Sequence, residues 1–317
     1  MTPVELSHII YHDEDAARKH LEKMRWPKEI SCPHCGVIGQ ARELGGESMG
    51  PGWFYCEACH DKFTVRTGTV YERSHIPLHK WLLAFRLMAS SKKGISAHQL
   101  HRTLNITYKS AWFMAMRVRE AMRELHPTKI GGGGKTVEAD ETYVGGKEKN
   151  KHRSKRNASH IGSVGKEPVF SLVERGGKVR SHHIPHVTAA TLKPILKKQL
   201  ADTKTTKLMT DGEGQYRLVA GMFESHETVN HGIGEYVRGE AHTNTIEGYF
   251  SILKRGINGT YHHVSEAHLK RYLAEFDFRY NERSALGVED AERTDKAIMG
   301  AEGKRLTYRQ RTDSAIA

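Results

Sequence analysis

The sequence predicts a multidomain protein in which a small cysteine-bound ribbon and a group of helices precede a larger α/β unit. Three observations predict this order. Two Cys-x-x-C pairs lie near the amino terminus, a basic stretch with helical periodicity follows, and strands then alternate with helices. At 317 residues the chain is too long for one small core, so we expect two or three compact units.

The charge of the chain indicates a polyanionic partner. Lysine and arginine together number 49, and aspartate and glutamate 37, which leaves a formal net charge of +12. No window is apolar over the length of a membrane span, and the amino terminus lacks the pattern of a signal peptide. We therefore expect a cytoplasmic protein with no membrane segment.

Residues 1–28 predict a helical lead-in, and residues 29–68 predict a zinc ribbon with short strands around Trp53 and Lys62. Two Cys-x-x-C pairs at this spacing supply four thiolates, which fill a tetrahedral site and leave no open position, so the expected cofactor is a structural Zn²⁺. A redox dithiol is the alternative, and two matched pairs disfavour it. His34 and His60 are possible but unnecessary ligands. The four expected ligands are Cys32, Cys35, Cys56 and Cys59.

Residues 73–130 predict a helix-turn-helix DNA-binding domain. Between Arg73 and Lys129, eleven lysines and arginines are present against two glutamates. Apolar spacing predicts three helices, with a tight turn before Tyr108. The third helix, which begins at Tyr108, would enter the major groove of DNA. The alternative is a plain helical bundle with a solvated basic face.

Four consecutive glycines, Gly131 to Gly134, predict a flexible hinge between the front and back halves. Gly134, Lys135 and Thr136 read G-K-T, but Lys129 stands where the G-x-x-x-x-G-K-[ST] pattern needs its first glycine, so the segment does not form a phosphate loop. Residues 135–285 then predict the catalytic domain, with a lysine-rich solvated loop at 147–156. From residue 289 to 317 the chain is polar, which predicts a loosely held tail.

Three acidic residues stand at informative places in this back half. Asp140 lies inside an apolar strand, Asp211 ends a later strand, and Glu247 lies on a following helix. A carboxylate in an apolar strand is costly unless it is paired or bound to metal. Three carboxylates that converge would hold two Mg²⁺ or Mn²⁺ ions. The order of strands and helices in this half is that of a ribonuclease-H-like core. The alternative is three ordinary surface acids.

The helix that carries Glu247 is predicted from its apolar spacing. Ile246, Phe250 and Leu253 recur along one face, and Glu247 and Lys254 lie on another, almost two turns apart. Two structural alternatives need no catalysis. Glu247 and Lys254 could form a surface ion pair, or Asn244 and Glu247 a capping box.

Several motifs in combination resemble a known family. They are the two cysteine pairs, the helical segments 95–100 (ISAHQL) and 108–114 (YKSAWFM), the strand 137–146 (VEADETYVGG) and the helix start 242–248 (HTNTIEG). Over about residues 25–282 they resemble the bacterial insertion-sequence transposases with an amino-terminal zinc ribbon, which are related to the Merlin transposons of eukaryotes.

The resemblance implies a DDE-type transposase, which hydrolyses DNA at the ends of its element and then joins the freed 3′ hydroxyl to target DNA. The implied partners are the element ends, the target DNA and, since two ends are cut together, other copies of the chain in a homo-oligomer. A nucleoid-associated protein is expected.

In this family the third residue on the metal side is Asn or Glu, followed by a lysine. Asn244 and Glu247 both fit, with Lys254 as the lysine, so the third residue stays open. We favour Glu247 because its carboxylate brings negative charge to a dication. Asn244 would then cap the helix or orient a ligand.

Two other functional classes remain open. One is a non-catalytic DNA-binding regulator built from the ribbon and the helix-turn-helix; carboxylates at strand positions, as at Asp140 and Asp211, disfavour it. The other is a host nuclease of the ribonuclease H type with no site preference. A footprint confined to terminal repeats would argue against that second class.

Overall fold

A computed structural model of the chain divides into two compact units. The first combines residues 1–91, 95–123 and 288–317, and the second combines residues 92–94 and 124–287. Residues 147–151 of the predicted lysine-rich loop and residues 308–317 of the predicted tail lie outside the part that the structure describes. That part comprises residues 2, 5–46, 49–146, 152–156, 165–211, 214–230 and 234–307.

Nine α-helices and ten strands are assigned within the described residues. The helices are α1 (Glu14–Arg25), α2 (Leu78–Ser90), α3 (Ala97–Leu104), α4 (Tyr108–Met122), α5 (Ala189–Gln199), α6 (Gly214–Arg217), α7 (Asn244–Gly256), α8 (Glu266–Asn281) and α9 (Asp290–Met299). The strands are β1 (Ala41–Leu44), β2 (Trp53–Cys56), β3 (Lys62–Thr64), β4 (Thr136–Val144), β5 (Glu167–Glu174), β6 (Val179–His183), β7 (Lys207–Thr210), β8 (Ser225–Thr228), β9 (Val237–Arg238) and β10 (Ala241–His242). None of the described helices is long and apolar enough to cross a membrane.

The ribbon in the first unit is a three-stranded antiparallel sheet in the order β1-β2-β3. Trp26, which follows α1, packs edge-on against Phe54 of β2 and Phe63 of β3, with ring centroids 5.4 and 5.9 Å apart. These three rings give the small sheet an apolar base beside its cysteines. The strands predicted around Trp53 and Lys62 are confirmed, and β1 was not predicted.

The three helices predicted in the basic segment are confirmed as α2, α3 and α4. Thr107 caps α4 and accepts a hydrogen bond from the Ser110 amide, and Asn105 ends α3 in the left-handed conformation at φ +48°. Three of the eleven cations of this segment do not face solvent, because Arg86, Arg117 and Arg119 are buried. The basic surface is therefore smaller than the sequence count indicates.

The prediction of a loosely held polar tail from residue 289 is wrong for the part that the structure describes. Residues 290–299 form α9, which packs against α2 and α4. Ala297 and Thr294 are fully buried, and Val70 donates its amide hydrogen to the carbonyl of Ala301. Small buried side chains let this helix pack closely, and a polarity average over the segment does not register them.

The second unit is built on a mixed five-stranded sheet in the order β6-β5-β4-β7-β8. Strands β4, β5 and β6 pair antiparallel, whereas β7 runs parallel to β4 and to β8. Helix α5 contributes Leu192 and Leu196 to the core on one face, and α7 and α8 contact strands of the same sheet. This order of strands and helices is consistent with the predicted ribonuclease-H-like core.

The parallel pairing of β4 with β7 brings two of the predicted acids together. Glu138 pairs with Met209 in this register, so continuing it by two residues on each strand sets Asp140 beside Asp211. Neighbouring strands lie about 4.8 Å apart. The two aspartates therefore meet where β7 ends.

The four-glycine segment is not the flexible hinge that the sequence predicts. All four residues have left-handed φ between 58° and 78°, which favours glycine. Each amide donates a hydrogen bond within the second unit, for example Gly131 to Glu174 and Gly132 to Thr206, at 2.8 and 2.7 Å. The boundary between the compact units falls earlier, at Arg123.

Candidate active site and zinc centre

The four cysteines of the ribbon form a compact group. Cys32 Sγ lies 3.7 Å from Cys59 Sγ, and Cys35 Sγ lies 3.7 Å from Cys56 Sγ. Zinc–sulfur bonds of about 2.3 Å give a regular tetrahedron with sulfur–sulfur edges of about 3.8 Å. Both short contacts join different Cys-x-x-C pairs, as a shared metal requires and a redox dithiol does not. The ligand set fits structural Zn²⁺ without a histidine.

Asp140 lies in the middle of β4, on the face of the sheet that α7 covers. Burial raises the pKa of Asp140 to about 8, and the negative charges of Asp211, Glu141 and Glu247 add to the shift. A hydrogen bond from the Glu141 amide opposes it. A carboxyl group in such surroundings holds its proton at neutral pH unless a cation compensates the charge.

Glu247 approaches the aspartates from α7. It is exposed in the first turn of the helix, and its Oε1 accepts a hydrogen bond of 2.9 Å from Thr243 Oγ1. The ligand atoms of Asp140, Asp211 and Glu247 do not all lie within 4.8 Å of one another, in contrast to the cysteine group. The charge of Glu247 nevertheless acts on Asp140.

The donor set fits hard divalent cations. Carboxylate oxygens are the ligands that Mg²⁺ and Mn²⁺ favour. The charges of Asp211 and Glu247 both act on Asp140. A cation between them would remove the mutual repulsion that raises the pKa of Asp140. Asp140, Asp211 and Glu247 are the residues that would hold such ions.

Glu138 has a role that the sequence analysis missed. This side chain, on the same face of β4 as Asp140, is fully buried. Its Oε2 accepts hydrogen bonds from the amides of Thr245 and Ile246 at 2.8 and 2.9 Å, and Oε1 lies 2.7 Å from Arg175 Nε. A carboxylate from the sheet therefore caps the amino terminus of α7, where the helix dipole favours negative charge.

The predicted role of Asn244 as helix cap is wrong. Asn244 is the first residue of α7, and Thr243 precedes it as the N-cap residue. The Thr243 side chain accepts no capping hydrogen bond from an amide of the first turn. Glu138 takes that place from the sheet. Asn244 is exposed at the same helix end as Glu247.

The other predicted residues of this helix lie where periodicity places them. Ile246, Phe250 and Leu253 are buried, and Lys254 is exposed in the last turn. Glu141, which follows Asp140, lies on the opposite face of β4 and accepts hydrogen bonds from Gln215 and Tyr216.

A buried polar network supports the sheet under α7 and α8. Asp277 of α8 accepts hydrogen bonds from Tyr249 Oη, Ser181 Oγ and the Ser181 amide at 2.6, 2.7 and 2.8 Å. Ser181 also bonds Ser171, which pairs with Asp140 across β4 and β5. Burial raises the pKa of Asp277. Serine at two facing strand positions was the sequence signal, but its acidic partner is distant in the chain.

A further group of possible ligands lies where β5 begins, β6 ends and α8 begins. Glu167, His183 and Glu266 each place one ligand atom within 4.8 Å of the others. His183 Nε2 lies 2.7 Å from Glu167 Oε2. This hydrogen-bond contact joins the two strand ends and belongs to no predicted site.

Two comparisons with known proteins bear on this arrangement. Residues 131–281 match the family model described as ISXO2-like transposase domain, and residues 12–62 match the one described as transposase zinc-ribbon domain. An uncharacterized protein in the transposable element ISH50 of Halobacterium salinarum is 31% identical over 278 residues. The similarity covers 84% of this chain and 90% of that relative.

Proposed function

Because the chain belongs to the ISXO2-like transposase family, with its zinc-ribbon domain, we propose that it is a metal-dependent DNA transposase. It would cut DNA at the terminal repeats of its insertion sequence and join the freed ends to target DNA. The observation that carries this proposal is the meeting of Asp140 and Asp211 at the end of β7, with the charge of Glu247 acting on Asp140.

Asp140, Asp211 and Glu247 would hold two Mg²⁺ or Mn²⁺ ions. When bound, such ions activate an attacking hydroxyl group and stabilise the leaving oxygen of a phosphodiester. In the first reaction water adds to phosphorus and the 3′ oxygen leaves as a hydroxyl group. In the second, that 3′ hydroxyl attacks a target phosphodiester and displaces the 3′ oxygen of the target strand.

The residues of the chain would position these reactants. Thr243 Oγ1 donates to Glu247 and holds its carboxylate, and Glu138 holds the start of α7. Lys254, exposed on the same helix, would contact a DNA phosphate. Glu247 is favoured as the third ligand because its charge reaches Asp140.

We also propose that α3 and α4 act as the helix-turn-helix that binds the element ends. A three-residue turn with a left-handed Asn105 joins the helices, and Thr107 caps α4. Tyr108 is 45% exposed at the start of α4 and stacks on His98, with ring centroids 4.3 Å apart. Lys109 is exposed next to it, where it would contact DNA.

A cleavage assay on DNA with the terminal repeats, in the presence of Mg²⁺, tests the catalytic proposal. We expect Asp140→Ala, Asp211→Ala and Glu247→Gln to lose cutting while they still bind DNA. Glu224→Gln, an exposed acid of the same unit, is the matched control and should cut normally.

Other outcomes assign the chain differently. If Glu247→Gln cuts normally and Asn244→Ala does not, Asn244 is the third ligand. Cutting without preference for the repeats would indicate a nuclease instead. Binding to the repeats with no metal-dependent cutting or joining would indicate a regulator.

A further inference from the structure

A cavity of about 580 Å³ lies beyond the carboxylates in the second unit. Its walls come from the end of β4, from the start of β5 and from the segment that follows α7. They are formed by Tyr143, Lys166, Lys254, Asn258, His262 and His263, together with neighbouring apolar and glycine residues. Pockets of this volume accommodate molecules of nucleotide size.

The lining combines positive charge with apolar surface. Lys166 and Lys254 are cations, His262 and His263 offer ring nitrogens, and none of the described residues that line the cavity is acidic. Val144, Ile257 and Val264 supply apolar surface, and the ring of Tyr143 is 37% exposed. An anion attached to a flat, partly apolar ring system matches this lining, and a nucleotide has that chemistry.

The segment after α7 is unusual in its backbone. Residues Ile257–Tyr261 continue α7 as one turn of π-helix, and His262 then takes φ +60° and ψ −44°. Single π-helical turns and left-handed positions of residues other than glycine are costly, and they concentrate at functional sites. Here they direct the chain around the cavity, and both Asn258 and His262 line it.

The back of this segment is fixed rather than mobile. Tyr261 Oη donates a hydrogen bond of 2.7 Å to Glu275, which is fully buried in α8. Gly256 packs so closely that an added Cβ would lie 2.4 Å from Phe276 Cζ. The segment that forms this wall of the cavity is thus held in place by the core of the unit.

The cavity lies near the carboxylates. Val144 follows Asp140 by four residues on the same strand, a distance of about 13 Å, and Lys254 follows Glu247 by seven residues on α7, about 10 Å. A DNA strand whose phosphate is at the carboxylates would therefore reach the cavity within a few nucleotides.

We infer that this cavity receives an unpaired nucleotide of the DNA strand that is cut. Lys166 and Lys254 bind its phosphate, and its base lies against the Tyr143 ring. This inference rests on the proposed function and adds a base-extrusion step to it. Enzymes that extrude a base meet the cost of unpairing with contacts of this kind.

Fluorescence of 2-aminopurine tests the inference with the full-length chain in EDTA, so that no cutting is needed. The probe is placed in turn at each position near the cleavage site in duplex DNA with the terminal repeats. We expect fluorescence to rise at one position, and an abasic site opposite the probe to tighten binding about tenfold. Tyr143→Ala and Lys166→Ala should abolish both effects, and Tyr143→Phe should restore them.

Matched controls keep the test sharp. Tyr236→Ala and Lys207→Ala alter an exposed tyrosine and an exposed lysine outside the cavity and should behave as wild type. Circular dichroism shows whether each variant folds. No fluorescence rise at any position, or a rise that survives Tyr143→Ala, overturns the inference. If Asp140→Ala still cuts, the catalytic proposal fails while the fluorescence result stands.

Discussion

Glu138 links the strand that carries Asp140 to the helix that carries Glu247. It accepts two amide hydrogen bonds from the first turn of α7 and one from the Thr245 hydroxyl, and it pairs with Arg175. Every one of these partners is distant in sequence. The distance between the two halves of the carboxylate site therefore depends on one buried side chain that we do not assign to metal binding.

Replacing Glu138 by glutamine should destabilise the second unit. The change removes a buried charge that compensates Arg175 and the amides of α7, so we expect the free energy of unfolding to fall by about 3 kcal/mol. Urea denaturation measures it. Glu240→Gln is the control, because Glu240 lies 3.8 Å from the same arginine but is 91% exposed, and its loss should cost less than about 0.5 kcal/mol. If both variants lost the same free energy of unfolding, Glu138 would not act as the cap of α7.

The pKa of Asp140 predicts how stability depends on pH. Its value of about 8 in the folded state lies above the ordinary 3.8, so the folded chain holds this proton where the unfolded chain has lost it. In EDTA, stability should thus fall as pH rises from about 4 to about 8. We expect a fall on the order of 3 kcal/mol. One pKa unit corresponds to about 1.4 kcal/mol, so the full pKa shift would give a larger fall, but solvent near the site screens the charge.

Urea denaturation at a series of pH values checks this expectation. Asp140→Asn should remove the fall, because the amide does not titrate, and Mg²⁺ should diminish it in the wild type by compensating the charge. The difference between wild type and variant isolates Asp140 from other groups. A difference that does not change between pH 4 and pH 8 would contradict the expectation.

The sequence identifies some of these residues but not others. Asp140 is conspicuous because it interrupts apolar residues, and Asp211 because a short apolar strand ends on it. Glu138 interrupts the same strand, yet its structural role depends on Arg175 and on backbone amides more than 100 residues away. The hydrogen bond from the Ile246 amide is one example. Local pattern does not encode such long-range partners. The role of Asp277 was not predicted for the same reason.

Among the elements, the ribbon is the one whose folding should depend on a bound metal. Its sheet has three short strands and a core of three rings, which is too little to fold without a cross-link. Cys56→Ser should reduce zinc from about one ion per chain to a small fraction, while the second unit stays folded. Elemental analysis gives the zinc content, and hydrogen exchange reports on each unit.

His60→Ala is the matched control for this variant. His60 lies next to Cys59 and close to Tyr55, with Nδ1 3.0 Å from the tyrosine oxygen, but it is not part of the cysteine group. The His60 variant should keep its zinc. Full zinc content in Cys56→Ser, or loss of zinc in His60→Ala, would contradict the four-cysteine assignment.

Elements with strong local signals were predicted well, and the others depend on tertiary packing. Asp140 lies inside a strand as expected, and the third helix of the basic segment begins at Tyr108 as predicted. Strand β1 was missed because Ala41–Leu44 has no apolar alternation and is defined by its pairing with β2. The π-helical turn after α7 has no sequence period that would reveal it.

At the scale of the whole molecule, the chain is not a simple series of domains. Its last described helix, α9, belongs to the same compact unit as the ribbon and the basic helices, although the entire second unit separates them in sequence. The domains predicted from the sequence follow one another along the chain, because changes of composition along a sequence do not show which distant segments pack together. The described carboxyl-terminal segment is thus part of the core of the first unit.

Deleting residues 288–317 should therefore weaken the first unit and spare the second. The deletion removes the buried side chains of Ala297, Ile298 and Ala301, and with them at least about 3 kcal/mol of apolar burial. Hydrogen exchange should show lost protection in α2 and α4 but unchanged protection in β4 and β5. Met299→Ala, which alters a side chain of α9 that is 63% exposed, is the control and should leave both units as they are. If the deletion left α2 and α4 as protected as before, α9 would not be part of the core that stabilises them.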